Sequence, residues 1–194
     1  GVIPLLASKL ILKCLERENV EFVFGYPGGA LLPLYEAFRT SPIKHILVRN
    51  EQTAPHYASG YARESGRVGV CLATSGPGAT NLLTGVADAY FDSIPCIFIT
   101  GQVNVGELEH DPTIRQNGFQ EMDIVSVASS ITKYAVQIRR AEDVSAELDK
   151  AFKLAMEGRK GPVLLDIPMN VQRSELAEDT IPLKQHWIGN GRSS

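Results

Sequence analysis

Glu51 stands in the run Val48-Arg49-Asn50-Glu51-Gln52-Thr53-Ala54, where an apolar stretch, Ile46-Leu47-Val48, gives way to small residues of helical pattern. In open α/β sheets ligands sit outside the carboxyl ends of the strands, so an acid at that place faces a bound group and can exchange a proton with it. Two Gly/Pro-rich stretches occupy the same place after other apolar runs. They are Gly25-Tyr26-Pro27-Gly28-Gly29-Ala30 and Ser75-Gly76-Pro77-Gly78-Ala79-Thr80-Asn81. Gly28-Gly29 lets backbone approach a ligand closely, and Pro27 stiffens the approach. Any α/β protein needs a tight strand-to-helix turn, so one such loop says little. Two of them at the sheet edge that carries Glu51 point to a binding site.

Other chemistries fit less well. Gly76 and Gly78 match the first two glycines of a dinucleotide fingerprint, but Asn81 stands where Gly or Ala is needed, and no acid ends the next strand. A nicotinamide or flavin Rossmann site is therefore disfavoured. Neither a Walker A loop nor a G-x-S-x-G elbow occurs. The four histidines lack metal-ligand spacing. Glu107, Glu109, His110 and Asp111 read as a solvated acidic loop, and no metal site is expected. The three cysteines, Cys14, Cys71 and Cys96, fall in apolar patterns without C-x-x-C spacing and read as buried free thiols of a reducing cytoplasm.

The elements that would position Glu51 and the two loops alternate along the chain. Helical patterns over about 6–15, 31–39, 53–65, 78–91 and 141–157 separate apolar strands at 22–24, 45–48, 68–73, 96–100, 133–137 and 163–167. Gly66 takes the C-terminal cap of the third helix. The expected fold is α/β, a doubly wound, mainly parallel six-stranded sheet with helices on both faces. Residues 102–121 break the rhythm, and a connection of that length is usually functional or mobile. At 194 residues and 44% hydrophobic content the chain builds one core. Its net charge of −3 leaves no electrostatic footprint for nucleic acid, and no apolar run reaches the length of a membrane span. Lys9, Lys13, Glu16, Arg17 and Glu18 do not fit a signal peptide. The polar, turn-rich stretch from Gln172 sets the expected organisation: one domain over 1–171 and a linker over 172–194 toward a further domain.

Beyond the two loops and Arg49-Asn50-Glu51-Gln52, the chain carries Gly60-Tyr61-Ala62-Arg63, Ala73-Thr74, Asp88-Ala89-Tyr90 and Thr100-Gly101-Gln102. Phe119-Gln120-Glu121 and Gly161-Pro162-Val163 follow in order. Together these motifs resemble the N-terminal, pyrimidine-binding domain of thiamine diphosphate enzymes, in particular the large catalytic subunit of acetolactate (acetohydroxyacid) synthase. The likeness covers about residues 5–171.

The resemblance implies that Glu51 hydrogen-bonds a ring nitrogen of the cofactor's aminopyrimidine and so promotes loss of the thiazolium C2 proton. It implies cofactor contacts at Tyr26, Pro27, Gly28, Thr74, Pro77 and Asn81, with Gly29 and Ala30 near the reacting carbon. Gln120 would close over cofactor and substrate, and Arg159 would touch the FAD that some of these enzymes carry. The diphosphate and its Mg²⁺ would be held by a separate domain of a partner subunit, in a homodimer or homotetramer, which leaves this segment inactive alone. The implied reaction decarboxylates one 2-keto acid and transfers the two-carbon unit to a second, as in branched-chain amino acid biosynthesis. Met169, where these synthases carry lysine, and a long 106–118 segment both fall around the substrate channel. They leave open a related thiamine diphosphate lyase or carboligase, and a non-catalytic dimerisation module is a further alternative.

Overall fold

A computed structural model describes residues 4–177. Strand β1 (Leu5–Leu6) runs straight into helix α1 (Ala7–Arg17), where Leu10, Ile11, Cys14 and Leu15 are all buried. Their spacing of one, four and five residues lays them along one stripe of a 3.6-residue helix. Strand β2 (Phe22–Gly25) precedes a single 3₁₀ turn, helix α2 (Leu32–Phe38) and strand β3 (Lys44–Leu47). Helix α3 (Thr53–Ser65) ends at Gly66, whose φ of 71° is the left-handed cap expected there, and whose N–H bonds the Ala62 carbonyl at 3.0 Å. Strand β4 (Gly69–Ala73), helices α4 (Pro77–Asn81) and α5 (Leu83–Phe91), and strand β5 (Cys96–Gln102) follow. The remainder is α6 (Ile124–Ala128), β6 (Tyr134–Gln137), α7 (Val144–Met156), β7 (Val163–Pro168), α8 (Met169–Arg173) and β8 (Glu175–Leu176).

Six strands form one parallel sheet in the order β3-β2-β4-β5-β7-β6. Of the four inner strands, β4, β5 and β7 are buried along their whole length, because helices cover both faces. Side chains alternate between those faces. Val70, Leu72, Ile97, Ile99, Val163 and Leu165 pack toward α1 and α7. Cys71, Ala73, Cys96, Phe98 and Leu164 pack toward α3 and α5. The cysteines are free and buried, and burial pushes the Cys96 thiol up to about 12. None of them is poised as a nucleophile.

The fold class and its six strands are as the sequence predicts, with four differences in detail. The helix expected over 78–91 is two helices, α4 and α5, which tighten at Leu82, where its N–H bonds Ala79 rather than Gly78. Helix α6, capped by the Asp123 side chain accepting from Ser126 N–H at 3.1 Å, and helix α8 are too short to show a period. Strands β1 and β8 form a separate antiparallel pair, Leu5 opposite Leu176. Packing thus continues past residue 171, through buried Gln172 to Leu176, so the first residues assigned to a linker belong to the folded unit. Residues 178–194 of that linker lie outside the described residues. Among the described residues no helix is long and apolar enough to cross a membrane.

Candidate active site

The carboxyl ends of β3, β2 and β4 carry Glu51 and the two Gly/Pro turns. Val48 N–H bonds the Gly25 carbonyl at 3.1 Å, which extends the β2–β3 pairing to the edge of both loops. Asn50 then turns the chain. Its side-chain oxygen accepts from Gln52 N–H at 2.9 Å, and its carbonyl accepts from Thr53 N–H at 3.0 Å. That turn fixes Glu51 just ahead of α3, half-buried.

Thr74, the residue after β4, joins the turns. Its Oγ1 accepts from Ala30 N–H at 3.3 Å. A Cβ on Gly28 would lie 2.4 Å from Thr74 Cβ, and one on Gly78 would lie 2.7 Å from Thr74 Cγ2. Glycine at these positions therefore lets both turns close on one threonine, a closeness that no other residue permits. The Glu51 carboxylate completes the cluster. Asn81 Nδ2 donates to its Oε2 at 3.1 Å, and its Oε1 lies 3.6 Å from where a Gly78 Cβ would stand. None of the ion pairs among the described residues includes Glu51. Its second oxygen remains available to a ligand.

Tyr26, Pro27, Gly29, Pro77 and Asn81 are exposed around this cluster, whereas Gly28, Thr74 and Gly78 are sheltered behind them. The result is a rim of flat or compact side chains backed by rigid backbone. It can receive a planar ring and offer a carboxylate to a ring nitrogen.

Gln120 joins the site from the long connection after β5. Its φ is 59° and its backbone lies against Gly76, where an added Cβ would stand 2.7 Å from the Gln120 carbonyl oxygen. Gly76 itself has a φ of 61°. Arg159 is not brought to this rim. It lies in the α7–β7 connection at the amino ends of the strands, where its Nε donates to Ser93 Oγ at 2.7 Å.

The connection from 103 to 123 is tied down at several points. Asn104 and Glu107 form a capping box, and Glu109 pairs with Arg139 at 3.1 Å. The acidic residues of this stretch are engaged in such local bonds, and no group of three or more metal-ligating side chains exists among the described residues.

Sequence reasoning passed over three residues near the site. Gln172, fully buried on α8, donates from Nε2 to the Ala30 carbonyl at 2.8 Å and to the Ile167 carbonyl at 2.9 Å. With Thr74 on the N–H side, it fixes Ala30 from both sides. Glu121 organises the loop ahead of Gln120. Asp166, buried in β7, accepts from Thr100 Oγ1 at 2.6 Å and from Gln102 and Gln137 Nε2, each at 3.0 Å. A lone acid within the apolar run Val163-Leu164-Leu165 was the available signal for Asp166.

Burial, opposed by these three donors, pushes the Asp166 carboxyl up to about 6. The unfolded chain binds the same proton at 3.8. The favourable contribution is therefore complete below that value and lost as pH rises through about 6. Urea unfolding followed from pH 4 to 7 should show wild type losing on the order of 3 kcal/mol relative to Asp166→Asn across that window. Parallel pH profiles for the two proteins would refute the shift.

Residues 6–127 match the family described as "Thiamine pyrophosphate enzyme, N-terminal TPP binding domain". The chain is 49% identical over 180 residues to the acetolactate synthase large subunit of Lactococcus lactis subsp. lactis, covering 92% of this chain and 30% of that protein. It is 49% identical over 170 residues to the Corynebacterium glutamicum acetolactate synthase large subunit, covering 87% and 26%. Against the acetolactate synthase isozyme 2 large subunit of Escherichia coli it is 46% identical over 165 residues, covering 85% and 29%. The chain thus spans about three tenths of the length of these relatives.

Proposed function

The chain belongs to the thiamine pyrophosphate enzymes, as their N-terminal TPP binding domain, and from that premise we propose that it supplies the pyrimidine-binding half of an active site that decarboxylates a 2-keto acid and passes the two-carbon unit to a second 2-keto acid. The observation that carries this reading is the Glu51 carboxylate beside Asn81 and Gly78, with the first Gly/Pro turn linked to the second through Thr74.

Thiamine diphosphate supplies, when bound, a carbon nucleophile at its thiazolium ring. The residues of this chain bind and activate it. Tyr26, Pro27 and Pro77 offer exposed faces to the pyrimidine, and Gly28 and Thr74 hold the backbone that receives it. Asn81 orients the Glu51 carboxylate, and Glu51 exchanges a proton with the ring nitrogen. Gln120 lies over the second turn, where it can reach the reacting centre.

The finer assignments rest on the family likeness. Mg²⁺ and the diphosphate would be held by a second domain of a partner subunit, in a homodimer or homotetramer. Exposed Tyr26, Leu47, Tyr57 and Phe119 leave apolar surface for such a partner to cover. FAD would meet Arg159 from outside this rim. Met169, where these synthases carry lysine, would leave the acceptor 2-keto acid without a positive charge at that place.

The test joins this chain to a diphosphate-binding domain from an acetolactate synthase and follows C2-proton exchange of thiamine diphosphate by NMR, with pyruvate turnover measured alongside. Exchange above the free-cofactor rate, and carboligation product from pyruvate, are the expected results. Assembly without accelerated exchange would leave a non-catalytic pairing module as the better account. Exchange without carboligation would shift the function to another lyase of the family.

A further inference from the structure

Gln120 is one of three non-glycine residues with positive φ among the described residues. Left-handed backbone at glutamine costs free energy, and it persists only where the surroundings hold it. Here the restraint is visible. The Glu121 carboxylate makes three close contacts: His110 Nε2 lies 2.6 Å from Oε1, while the Asn117 and Gly118 N–H groups donate to Oε2 at 2.8 and 2.9 Å. Glu121 N–H bonds back to the Gly118 carbonyl at 3.1 Å, so residues 117–121 close into a small ring. Gln102 Nε2 fixes the far side by donating to the Met122 carbonyl at 2.7 Å.

The two members of the ion pair are largely sheltered, with 15% and 10% of their side chains exposed. The Glu121 carboxylate holds His110 above its usual range. Burial works against the Glu121 charge, but His110 and the two amides outweigh it and keep the carboxyl below its usual range. Each partner of the clasp thus favours the charged form of the other. Its effect is local: it sets the backbone direction immediately before and after Gln120, which meets Gly76 of the second turn.

We propose that Glu121, clasped by His110, is a positioning residue for Gln120, holding the left-handed turn that carries Gln120 against the ligand-facing loop. This rests on the reading above, in which Gln120 reaches over the cofactor. Glu121 touches neither cofactor nor substrate; it acts through the backbone of its neighbour. A side chain delivered on a strained but fixed turn loses little entropy when the substrate complex forms. Without the clasp, Gln120 would relax toward ordinary φ and withdraw from Gly76.

Two measurements test this. In the 194-residue chain, amide hydrogen exchange at Asn117 and Gly118 should speed up on the order of tenfold in Glu121→Ala and stay near wild type in Glu121→Gln, which keeps an acceptor. In the assembly with a diphosphate-binding domain, Glu121→Ala should lower kcat for carboligation roughly 10- to 100-fold, while C2-proton exchange stays within about twofold because Glu51 is untouched. Glu121→Gln should restore most of kcat. His110→Ala, which leaves the amide acceptor in place, supplies an intermediate variant should Glu121→Ala fail to fold. Opened amides with unchanged kcat would overturn the proposal, as would C2 exchange and kcat falling together. Undiminished kcat in Gln120→Ala would refute the role of Gln120 itself, and with it this assignment. A wild-type assembly without C2 exchange would instead refute the proposed function.

Discussion

Glu51→Gln is expected to slow C2-proton exchange of bound thiamine diphosphate by roughly 10²- to 10⁴-fold, the range that a positioned acid–base group supplies. The substitution is close to isosteric, and the amide oxygen can still accept from Asn81 Nδ2, which lies 3.1 Å from the carboxylate now. What it removes is the negative charge and the ability to trade a proton with a ring nitrogen. Because Glu51 is half-buried and outside the ion pairs among the described residues, the fold loses little. Circular dichroism and the melting midpoint should therefore match wild type. The exchange rate is read by NMR in the assembled protein, where thiamine diphosphate affinity is measured in parallel. Preserved exchange with intact binding would mean that another group activates the cofactor.

Gly28→Ala should damage both the fold and the site. Its new methyl would stand 2.4 Å from Thr74 Cβ and 2.5 Å from Cγ2, well inside contact distance. Thr74 has little room to retreat, since its hydroxyl holds Ala30 N–H and its methyl faces Gly78. Relief requires the first turn to move away from the second. Overpacking of this kind costs about 1–3 kcal/mol, which corresponds to a melting-point drop of roughly 2–4 °C for each kcal/mol at this chain length. Separating the turns should also weaken thiamine diphosphate binding by about tenfold or more, since backbone placement sets the cradle. Gly29→Ala is the control for stability, because a Cβ there has no neighbour within 4 Å. Equal melting points for the two variants would show that the contact through Thr74 is soft.

The sheet was legible because its signals are strong and local. Apolar runs such as Cys96-Ile97-Phe98-Ile99 permit little but an inner strand, and Gly66 needs its left-handed cap whatever surrounds it. The placement of Glu51 followed from one topological rule about where parallel strands present their ends. Gln172 and Glu121 were not legible for a different reason. Each works through backbone groups that are distant along the chain or folded back on it, and hydrogen-bond partners such as the Ala30 carbonyl leave no trace in residue type. The long connection after β5 misled in the same way. Glu109 and Asp111 are exposed, as a solvated acidic loop has them, whereas Glu107 caps a turn and Glu121 clasps His110 in a sheltered pair.

Leu5 and Leu176 are direct strand partners, so the polypeptide departs from the domain beside the point at which it arrived. Everything between them is a closed lobe pinched at its neck. Such a lobe can be lifted out of one host and spliced into another with a pair of neighbouring cuts, leaving the ligand-facing rim undisturbed. Exchange of this cassette among members of the thiamine pyrophosphate enzyme family becomes a practical route to testing what the lobe contributes to a composite protein.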